Sequence, residues 1–290
     1  MDIGRTAIKV VDLNRYKNTF ELIFCRSWQT PPVPHNTNNL STLPRLARKK
    51  AALALKDKEA FSRRFLVPKH FLDRDIFSHI ECEAPHLLPL PLESLYFDFC
   101  NIEGHPIKDS KEILLIAAQK NNPNLNFELL NTLKMTALVL ELESHAILRV
   151  LRMQKATLAL PLGSDEGVMV IEASDTKVRM YLWTREKIVD HHAFDDEGCL
   201  AAWQPSLKAL MLRNPSIKIQ RFLMGGGRAL DLPFVTKLKS HLDIKISILN
   251  PFASLKINQQ MNVLEEELEK LAPQFLISLG LALRKFDDAY

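Results

Sequence analysis

Residues 220–252 read QRFLMGGGRALDLPFVTKLKSHLDIKISILNPF, and this stretch decides the fold class. A short β-prone run ends at the glycine triplet 225–227, which predicts a strand followed by a tight turn. Asp231 is suited to cap a helix that carries Pro233 in its first turn. The apolar positions beyond it recur first at helical spacing and then in alternation: Phe234, Leu238, Leu242, Ile244, Ile246 and Ile248. The stretch therefore predicts a strand–turn–helix–strand unit of an α/β fold.

The glycine triplet at 225–227 fits two interpretations. Glycine permits φ > 0, so three glycines at a strand end suit a tight turn. Without a Cβ the backbone also lets a ligand approach, so the triplet equally suits contact with the base, sugar or phosphate of a nucleotide. The segment alone leaves both interpretations open.

The composition is that of an ordinary globular protein. At 290 residues, with 47% hydrophobic residues, the chain is long enough for two modest domains with real cores. Its net charge of +4 disfavours disorder and strongly basic nucleic-acid binders. No apolar run reaches the length of a membrane span. Because the cysteines lie far apart without a CxxC pair, we expect a soluble intracellular protein with reduced thiols: Cys25, Cys82, Cys100 and Cys199.

The chain opens with an acid–glycine turn, Asp2-Ile3-Gly4. Two β-prone runs follow at 7–13 and 20–28, and the polar residues between them predict a hairpin. In a phosphate site the acid would hold Mg²⁺ through water while backbone N–H groups of the turn face the phosphate. The alternative is a plain β-turn, and three residues do not separate the two.

A second hairpin begins after the turn-rich break at 161–167. Its strands are predicted at 168–171 and 178–183, with residues 172–175 (Glu-Ala-Ser-Asp) at the bend. Each hairpin is followed by strand–helix units. This parallel indicates an internally duplicated α/β fold.

The segment between the two hairpins predicts a small α+β subdomain. An amphipathic helix should end at Pro85, because proline interrupts the helical hydrogen-bond ladder. Strands are predicted at 95–99 and 113–118, followed by a helical face formed by Phe127, Leu130 and Leu133. A further strand at 138–142 leads to a helix that Ser144 is placed to cap.

Two other features suggest binding chemistry less strongly. Residues 45–74 carry ten basic and three acidic side chains, a local net charge of +7. We expect a solvated helical face there; a surface for nucleic acid or anionic lipid is the alternative, without a supporting motif. His79, Cys82 and His86 have metal-like spacings, but Pro85 interrupts their face and no fourth ligand is evident. Signatures of serine hydrolases, zinc proteases and P-loop NTPases are absent from the sequence.

The end of the chain predicts two helices of different character. Residues 261–271 form an acidic helix that Pro273 should break. Residues 275–286 (FLISLGLALRKF) are apolar nearly all round, which is typical of a buried helix. Docking of this helix to a membrane is the minor alternative.

Several motifs together resemble the PilM family, actin-like cytoplasmic proteins of type IV pilus assembly that are related to the cell-division protein FtsA. The opening DIG with AIKVVDL is similar to the family's first phosphate turn and second strand. The runs LLPLPLESLYFDF and ELESHAILRVL are similar to its inserted subdomain and the helix after it. RFLMGGGRALDLP, ISILNPF and FLISLGLALR are similar to its adenosine-side glycine turn, its NPF strand end and its closing helix. The similarity covers most of the chain in the right order.

The resemblance implies an α/β, actin-like fold with two lobes around a nucleotide cleft and an inserted small α+β subdomain. Residues 1–45 and 136–163 would form the first lobe, 46–135 the insert, and 164–290 the second lobe. The last helix, 274–286, would pack back toward the first lobe.

The resemblance also implies a cytoplasmic scaffold, peripheral on the inner membrane, that binds the N-terminal cytoplasmic peptide of PilN and through it the pilus alignment subcomplex. The role would be pilus assembly, twitching motility or DNA uptake through competence, with no direct contact to nucleic acid. The implied cofactor is ATP with Mg²⁺, which Asp2 would hold through water. The implied cofactor-binding residues are Asp2, Gly4, Arg5, Thr6, Lys9, Glu172, Gly225, Gly226 and Gly227.

Two departures from the family pattern concern the nucleotide site. Only Met1 precedes DIG where relatives have a longer apolar strand, so either the start lies upstream or the strand is short. Glu172-Ala173-Ser174 replaces a D-x-G turn, which puts a Cβ where backbone would approach phosphate. We therefore expect a scaffold with an optional or decayed nucleotide site. An active actin-type ATPase or kinase is the alternative, and a basic nucleic-acid-binding protein a more distant one.

Overall fold

The computed structural model describes residues 1–4, 6–16, 19–29, 50–102, 109–121, 130, 134–158, 163, 165–185, 187–195, 200–261 and 264–284. Two compact units emerge, one formed by Met1–Ala54 with Thr132–Arg284 and the other containing Leu55–Asn131. The bounds of the predicted insert, 46–135, stay a prediction. The division of the first unit into two lobes at 163 stays a prediction.

The elements are numbered in chain order. The strands are β1 (Asp2–Ile3), β2 (Ala7–Tyr16), β3 (Thr19–Gln29), β4 (Lys50–Leu55), β5 (Ala60–Pro68), β6 (Leu95–Ile102), β7 (Ser110–Gln119), β8 (Thr136–Leu142), β9 (Glu166–Ala173), β10 (Lys177–Thr184), β11 (Lys187–Asp195), β12 (Lys218–Gly225), β13 (Ile246–Ile248) and β14 (Lys256–Ile257). The helices are α1 (Asp73–Leu87), α2 (Glu143–Gln154), α3 (Trp203–Arg213), α4 (Leu232–Leu242), α5 (Glu265–Leu271) and α6 (Leu276–Ala282).

One sheet of the first unit has the order β11-β10-β9-β12-β13. Strands β9, β10 and β11 form an antiparallel meander, whereas β12 runs parallel to β9 and β13 parallel to β12. Strands β9 and β10 are buried on both faces, so their sequences are almost continuously apolar. Helix α4 connects β12 to β13, and Asp231 caps it by accepting a hydrogen bond from the Phe234 N–H at 3.0 Å. The predicted strand–turn–helix–strand unit is therefore present.

The other half of the first unit contains a four-stranded sheet of order β1-β2-β3-β14 and a separate pair of strands. Strands β1, β2 and β3 are antiparallel neighbours, and β4 pairs with β8. The backbone nitrogen of Met1 donates to the Ala52 carbonyl at 2.6 Å, and the Ala54 N–H donates to the Met1 carbonyl at 3.4 Å. In a parallel pair, one residue forms its two hydrogen bonds with the residues just before and just after the residue opposite it. Met1 bonds in this way to Ala52 and Ala54. The order β3-β2-β1-β4 thus matches β11-β10-β9-β12, as a duplicated fold requires.

A single core joins the two halves of the first unit. It contains Val11 and Leu22 from the first sheet and Val170 and Trp183 from the second. Helices α2 and α6 fill the space between them, with Ala146, Ile147, Val150, Leu151, Leu276, Leu279 and Leu281 fully or almost fully buried. The buried apolar C-terminal helix predicted from the sequence is α6, although it is shorter than expected.

A second core lies on the other face of the β9–β13 sheet. Helices α3 and α4 cover this face through Trp203, Leu207, Leu210, Val235 and Leu238. The second unit has a core of its own, in which α1 packs on one face of the three-stranded sheet β5-β7-β6. Its centre is formed by Val67, Ile76, Ile80, Leu95, Ile113 and Leu115.

Several local predictions are wrong. Helix α1 does not end at Pro85 but continues to Leu87, because a proline in the last turn removes only a terminal bond and Leu88 N–H still reaches the Ala84 carbonyl at 2.9 Å. Ser144 lies inside α2, which starts at Glu143 and has no side-chain cap. The acidic helix starts at 265 rather than 261.

The basic segment is not a helical face. Residues 50–55 and 60–68 are strands, and the alanines and leucines of β4 are largely buried. Exposed Arg63 and Arg64 lie on β5. The helix was predicted from charge density alone. Charge density does not distinguish a helix from an edge strand, because both can carry exposed basic side chains. The predicted linker at 31–41, the helical positions Phe127 and Leu133, and Cys199 lie outside the described residues.

Candidate functional site

The first predicted phosphate turn holds an acid that is paired with a lysine. Asp2 in β1 lies directly opposite Lys9 in β2, and Lys9 Nζ is 3.7 Å from Asp2 Oδ2. Both residues are less than 9% exposed. Gly4 closes the turn by donating its N–H to the Ala7 carbonyl at 2.9 Å, and Thr6 is exposed. Arg5, predicted to hold a phosphate, lies outside the described residues.

The second predicted acid is also paired, and more tightly. Glu172 in β9 lies directly opposite Arg179 in β10, with 2.5 Å between Glu172 Oε2 and Arg179 Nη1. Glu143 at the start of α2 completes the cluster, with its Oε2 2.7 Å from Arg179 Nε. Burial would lower the pKa of Arg179, but the carboxylates of Glu172 and Glu143 outweigh it and raise that pKa above the ordinary value. Arg179 therefore remains charged inside the protein.

The two pairs correspond in the duplicated fold. In each, an acid on the first strand of a meander faces a cation on the second strand, seven residues later in sequence. Side chains alternate along a strand, so Lys9 shares a face with Val11, and Glu172 shares a face with Val170. Val11 and Val170 belong to the same core. Both ion pairs are thus directed to the side of each sheet that faces the core.

The bend after Glu172 is closed by local hydrogen bonds. Both the N–H and the hydroxyl of Ser174 donate to the Lys177 carbonyl, at 2.8 and 3.0 Å. Ser174 stands where the family pattern has glycine, so its side chain stabilises the turn itself. Glu172 and Ala173 belong to strand β9 rather than to the bend, contrary to the sequence prediction.

Protein atoms occupy the space beside two of the three glycines. A Cβ on Gly225 would lie 2.8 Å from Leu276 Cδ2 at the start of α6. Gly226 has φ +91°, donates its N–H to the Pro273 carbonyl at 2.8 Å, and would place a Cβ 2.7 Å from the Ala173 carbonyl carbon. Only Gly227 has open space for a Cβ, with Asp175 Oδ1 3.8 Å away. Packing against Leu276 explains Gly225 and the tight turn explains Gly226, in both cases without a ligand.

The family-like motif at 141–149 holds a charged cluster together with the last helix. Arg149 binds Glu141 in a bidentate manner, at 2.5 and 3.2 Å. The same guanidinium donates to the Gly280 carbonyl at 2.6 Å, and Arg284 Nη1 is 3.5 Å from Glu141 Oε2. The Glu141 side chain is fully buried. These residues fix α2 against α6.

The NPF motif is structural as well. The Asn250 side chain accepts the Phe252 N–H at 2.9 Å, and the Asn250 carbonyl accepts Nε2 of buried Gln154 at 2.7 Å. Phe252 stacks on Phe275 with 5.6 Å between ring centroids. The motif therefore joins the end of β13 to α2 and to the turn before α6.

The described residues do not fit Mg²⁺ bound with ATP at the predicted acids. Mg²⁺ needs hard oxygen ligands that remain available to it or to its waters. Asp2 faces Lys9, and Glu172 is held by Arg179, so each carboxylate already has a cation beside it. The site residues predicted from the sequence include Lys9 but neither Arg179 nor Glu143. The signal that could have revealed Arg179 is an arginine inside the apolar run VRMYLW.

Metal and thiol chemistry find no further support in the described part of the chain. The described residues contain no group of three histidine, cysteine or acidic side chains arranged for a metal. His79 instead packs near the Phe65 ring, with 5.6 Å between centroids. Burial raises the pKa of the Cys25 thiol to about 11, which leaves it unreactive at neutral pH.

Comparison with known proteins identifies the family. The family described as "Type IV pilus assembly protein PilM" matches residues 1–193 and 204–286. The chain belongs to the PilM family. Type IV pilus assembly is therefore the process in which this PilM-family protein takes part.

A solved structure agrees with this assignment at the level of the fold. A chain from the "PilM-PilN type IV pilus biogenesis complex" matches with a TM-score of 0.72 and 18% identity, covering 97% of this chain and 96% of that one. A Bacteroides thetaiotaomicron protein "with actin-like ATPase fold and unknown function" matches with a TM-score of 0.42 and 10% identity, covering 86% and 92%. The repeated strand order and the PilM match confirm the predicted actin-like α/β fold. No helix in the described part of the chain is long and apolar enough to span a membrane.

Proposed function

We propose that this PilM-family protein is a cytoplasmic scaffold that binds the N-terminal cytoplasmic peptide of a PilN-like membrane protein. Membership of the family supports a role in pilus assembly. The match to a solved PilM–PilN complex over nearly the full length of both chains supports the choice of partner. An extended peptide can be held by backbone hydrogen bonds and a few apolar pockets, without large interface area.

One observation carries the scaffold interpretation. Asp2 and Glu172, the two acids predicted at the nucleotide site, are each held in an ion pair. An ATP hydrolase or kinase of this fold would need acids that position Mg·ATP and a base for water or an acceptor hydroxyl. Asp2 and Glu172 each face a cation, and Glu143 shares Arg179 with Glu172. The enzyme alternative therefore has no supporting feature among the described residues.

We regard the predicted cofactor-binding residues as the border of a degenerate nucleotide cleft. Where ATP binds at all, it supports structure or partner affinity rather than turnover. The protein would reach the inner membrane through its partner and the alignment subcomplex. Twitching motility and DNA uptake are both compatible with this role.

Titration with a synthetic peptide of the PilN N-terminus tests the proposal. We expect saturable binding of one peptide per chain by calorimetry, both with and without Mg·ATP. A peptide of the same composition in scrambled order is the control and should not bind. Absence of saturable binding to the native-order peptide under both conditions would contradict the partner assignment.

A turnover assay separates the scaffold from the enzyme. We expect no steady phosphate release from Mg·ATP above the buffer background. Steady release that the Asp2→Ala variant abolishes would reject the scaffold reading in favour of the ATPase.

A further inference from the structure

The cluster of Glu143, Glu172 and Arg179 joins two elements that are distant in sequence. Glu172 and Arg179 belong to the β9–β10 hairpin, whereas Glu143 is the first residue of α2. The guanidinium reaches one carboxylate through Nη1 at 2.5 Å and the other through Nε at 2.7 Å. The three side chains are at most 11% exposed. One arginine thus bridges two carboxylates inside the protein.

The arginine lowers the repulsion between the two carboxylates by offsetting one of their two negative charges. Two buried carboxylates that share a site repel each other, and without a cation at least one must take up a proton or become hydrated. In metal-dependent sites a divalent cation usually lies between the carboxylates and binds their oxygens, which removes the repulsion. A guanidinium offers five donors in a fixed fork and is not released when solution conditions change. It can therefore do the bridging permanently.

We infer that Arg179 is a built-in substitute for a divalent cation, so that the start of α2 and the β9–β10 hairpin are held together without Mg²⁺ or nucleotide. The inference goes beyond the proposed function, because it concerns how the site is held and not what the protein binds. Three observations carry it: the bridging geometry, the burial of all three groups, and the matched but looser pair of Asp2 and Lys9. Oε2 of Glu172 is then occupied by the guanidinium rather than by an ion.

The adjacent structure agrees with a permanently filled site. Gly225 lies beside Glu172 in the neighbouring strand, and its missing Cβ leaves room for Leu276 rather than for a ligand. Ser174 closes the bend by its own hydrogen bonds. Gly225 and Ser174, on either side of the cluster, are thus packed or bonded within the protein, as expected where no cofactor completes the arrangement.

Replacement of the arginine by alanine tests the inference directly. In Arg179→Ala the two carboxylates face each other across a vacated space, which is the ligand set of a divalent site. We expect its thermal midpoint in EDTA to fall by several degrees, and millimolar Mn²⁺ to restore at least half of that loss. Electron paramagnetic resonance of Mn²⁺ should detect one ion bound to the variant. The wild-type protein should show neither response.

Two further variants make the result decisive. Arg179→Ala combined with Glu172→Gln removes a ligand and should lose the Mn²⁺ response, whereas Arg213→Ala, which breaks the Asp190–Arg213 ion pair, should show no Mn²⁺ response whatever its own thermal midpoint. If Arg179→Ala does not fold, Arg179→Lys keeps a cation in place and should remain insensitive to Mn²⁺. Binding of one Mn²⁺ or Mg·ATP to wild type that Glu172→Gln abolishes would overturn the inference. Since no peptide is used, failure of the partner proposal would not affect this outcome.

Discussion

At the scale of single residues, Gly226 is the position where the backbone itself forbids a side chain. Its φ of +91° is a conformation that side-chain-bearing residues rarely adopt, and a Cβ would press on the backbone of Ala173. We expect Gly226→Ala to lower the free energy of unfolding by about 3 kcal/mol or more, because strain and overlap add. Urea denaturation followed by tryptophan fluorescence measures this loss.

Gly227 provides the matched control in the same turn. A Cβ there meets nothing closer than 3.8 Å, so Gly227→Ala should change stability by less than about 1 kcal/mol. Equal effects of the two substitutions would show that the turn tolerates side chains generally. The explanation of the glycine triplet by packing would then be wrong.

Asp190 on edge strand β11 gives a pH-dependent prediction. Burial would raise the pKa of Asp190, but hydrogen bonds from Arg213 and Asn214 at 2.8 and 2.7 Å outweigh it and lower that pKa. A carboxyl with a lowered folded-state pKa stabilises the protein above its ordinary pKa of about 4 and loses this effect as pH falls through the lower value. We expect Asp190→Asn to lower the thermal midpoint at pH 5 to 8 and to match wild type in strong acid.

The control for this titration is Glu81→Gln, an exposed carboxylate on α1. Its difference from wild type should stay small across the whole pH range. A constant difference for Asp190→Asn down to pH 2 would mean that the carboxylate charge is not what Arg213 stabilises. Arg213 also donates to the His191 carbonyl at 3.3 Å, which occupies part of the free edge of β11.

At the scale of elements, the contact between α2 and α6 depends on a buried charge. Arg149 neutralises Glu141, whose side chain is fully buried, and Arg284 lies farther from it at 3.5 Å. Removing one partner of a buried pair leaves an uncompensated charge, so Arg149→Met should cost about 3 to 5 kcal/mol. Replacing both partners, Arg149→Met with Glu141→Leu, should recover much of this loss.

The exposed pair of Arg74 and Asp75 is the comparison for this cycle. Its nitrogen–oxygen distance is 3.5 Å and the Arg74 side chain is 81% exposed, so Arg74→Ala should cost under about 1 kcal/mol. Chemical denaturation of wild type, Arg149→Met, Glu141→Leu and the double variant gives the coupling energy. A coupling near zero would mean that packing alone, including the contact of Gly280 with Ala146, holds the two helices together.

Elements with strong local signals were predictable from sequence, and those shaped by tertiary contacts were not. The two hairpins and the strand–turn–helix–strand unit follow from alternation, turn residues and an Asp231 cap that the structure confirms. Strand β11 and the strands within 45–74 were missed, because mixed polar and apolar residues on an edge strand resemble a solvated helix. The Arg179 cluster was out of reach, since Glu143 lies 36 residues away and joins it only through folding.

At the scale of the whole molecule, the duplication explains why Asp2 and Glu172 are both held in ion pairs. Each meander places an acid opposite a cation seven residues later, so the change that neutralises one acid has a counterpart at the other. The pairs differ in strength, at 3.7 Å for Asp2 with Lys9 and 2.5 Å for Glu172 with Arg179. A bound anion would therefore contact Lys9 rather than Arg179, because two carboxylates already share the charge of Arg179.

The two units have separate cores, which predicts a local response to core mutations. All three tryptophans, Trp28, Trp183 and Trp203, belong to the first unit, so tryptophan fluorescence reports on that unit alone. Leu115 is fully buried in the second unit. Leu115→Ala should destabilise its own core by about 2 to 5 kcal/mol and raise hydrogen exchange in peptides from 55–131. The urea midpoint seen by tryptophan fluorescence should stay unchanged.

Leu223→Ala is the matched substitution in the core of the first unit, where Leu223 is 2% exposed. It should lower the tryptophan midpoint and leave hydrogen exchange in 55–131 near the wild-type level. If Leu115→Ala shifts the tryptophan midpoint as far as Leu223→Ala does, the units unfold as one cooperative body. Separate responses would instead mean that the inserted unit can vary in stability and surface while the duplicated fold, with its internal cation, stays intact.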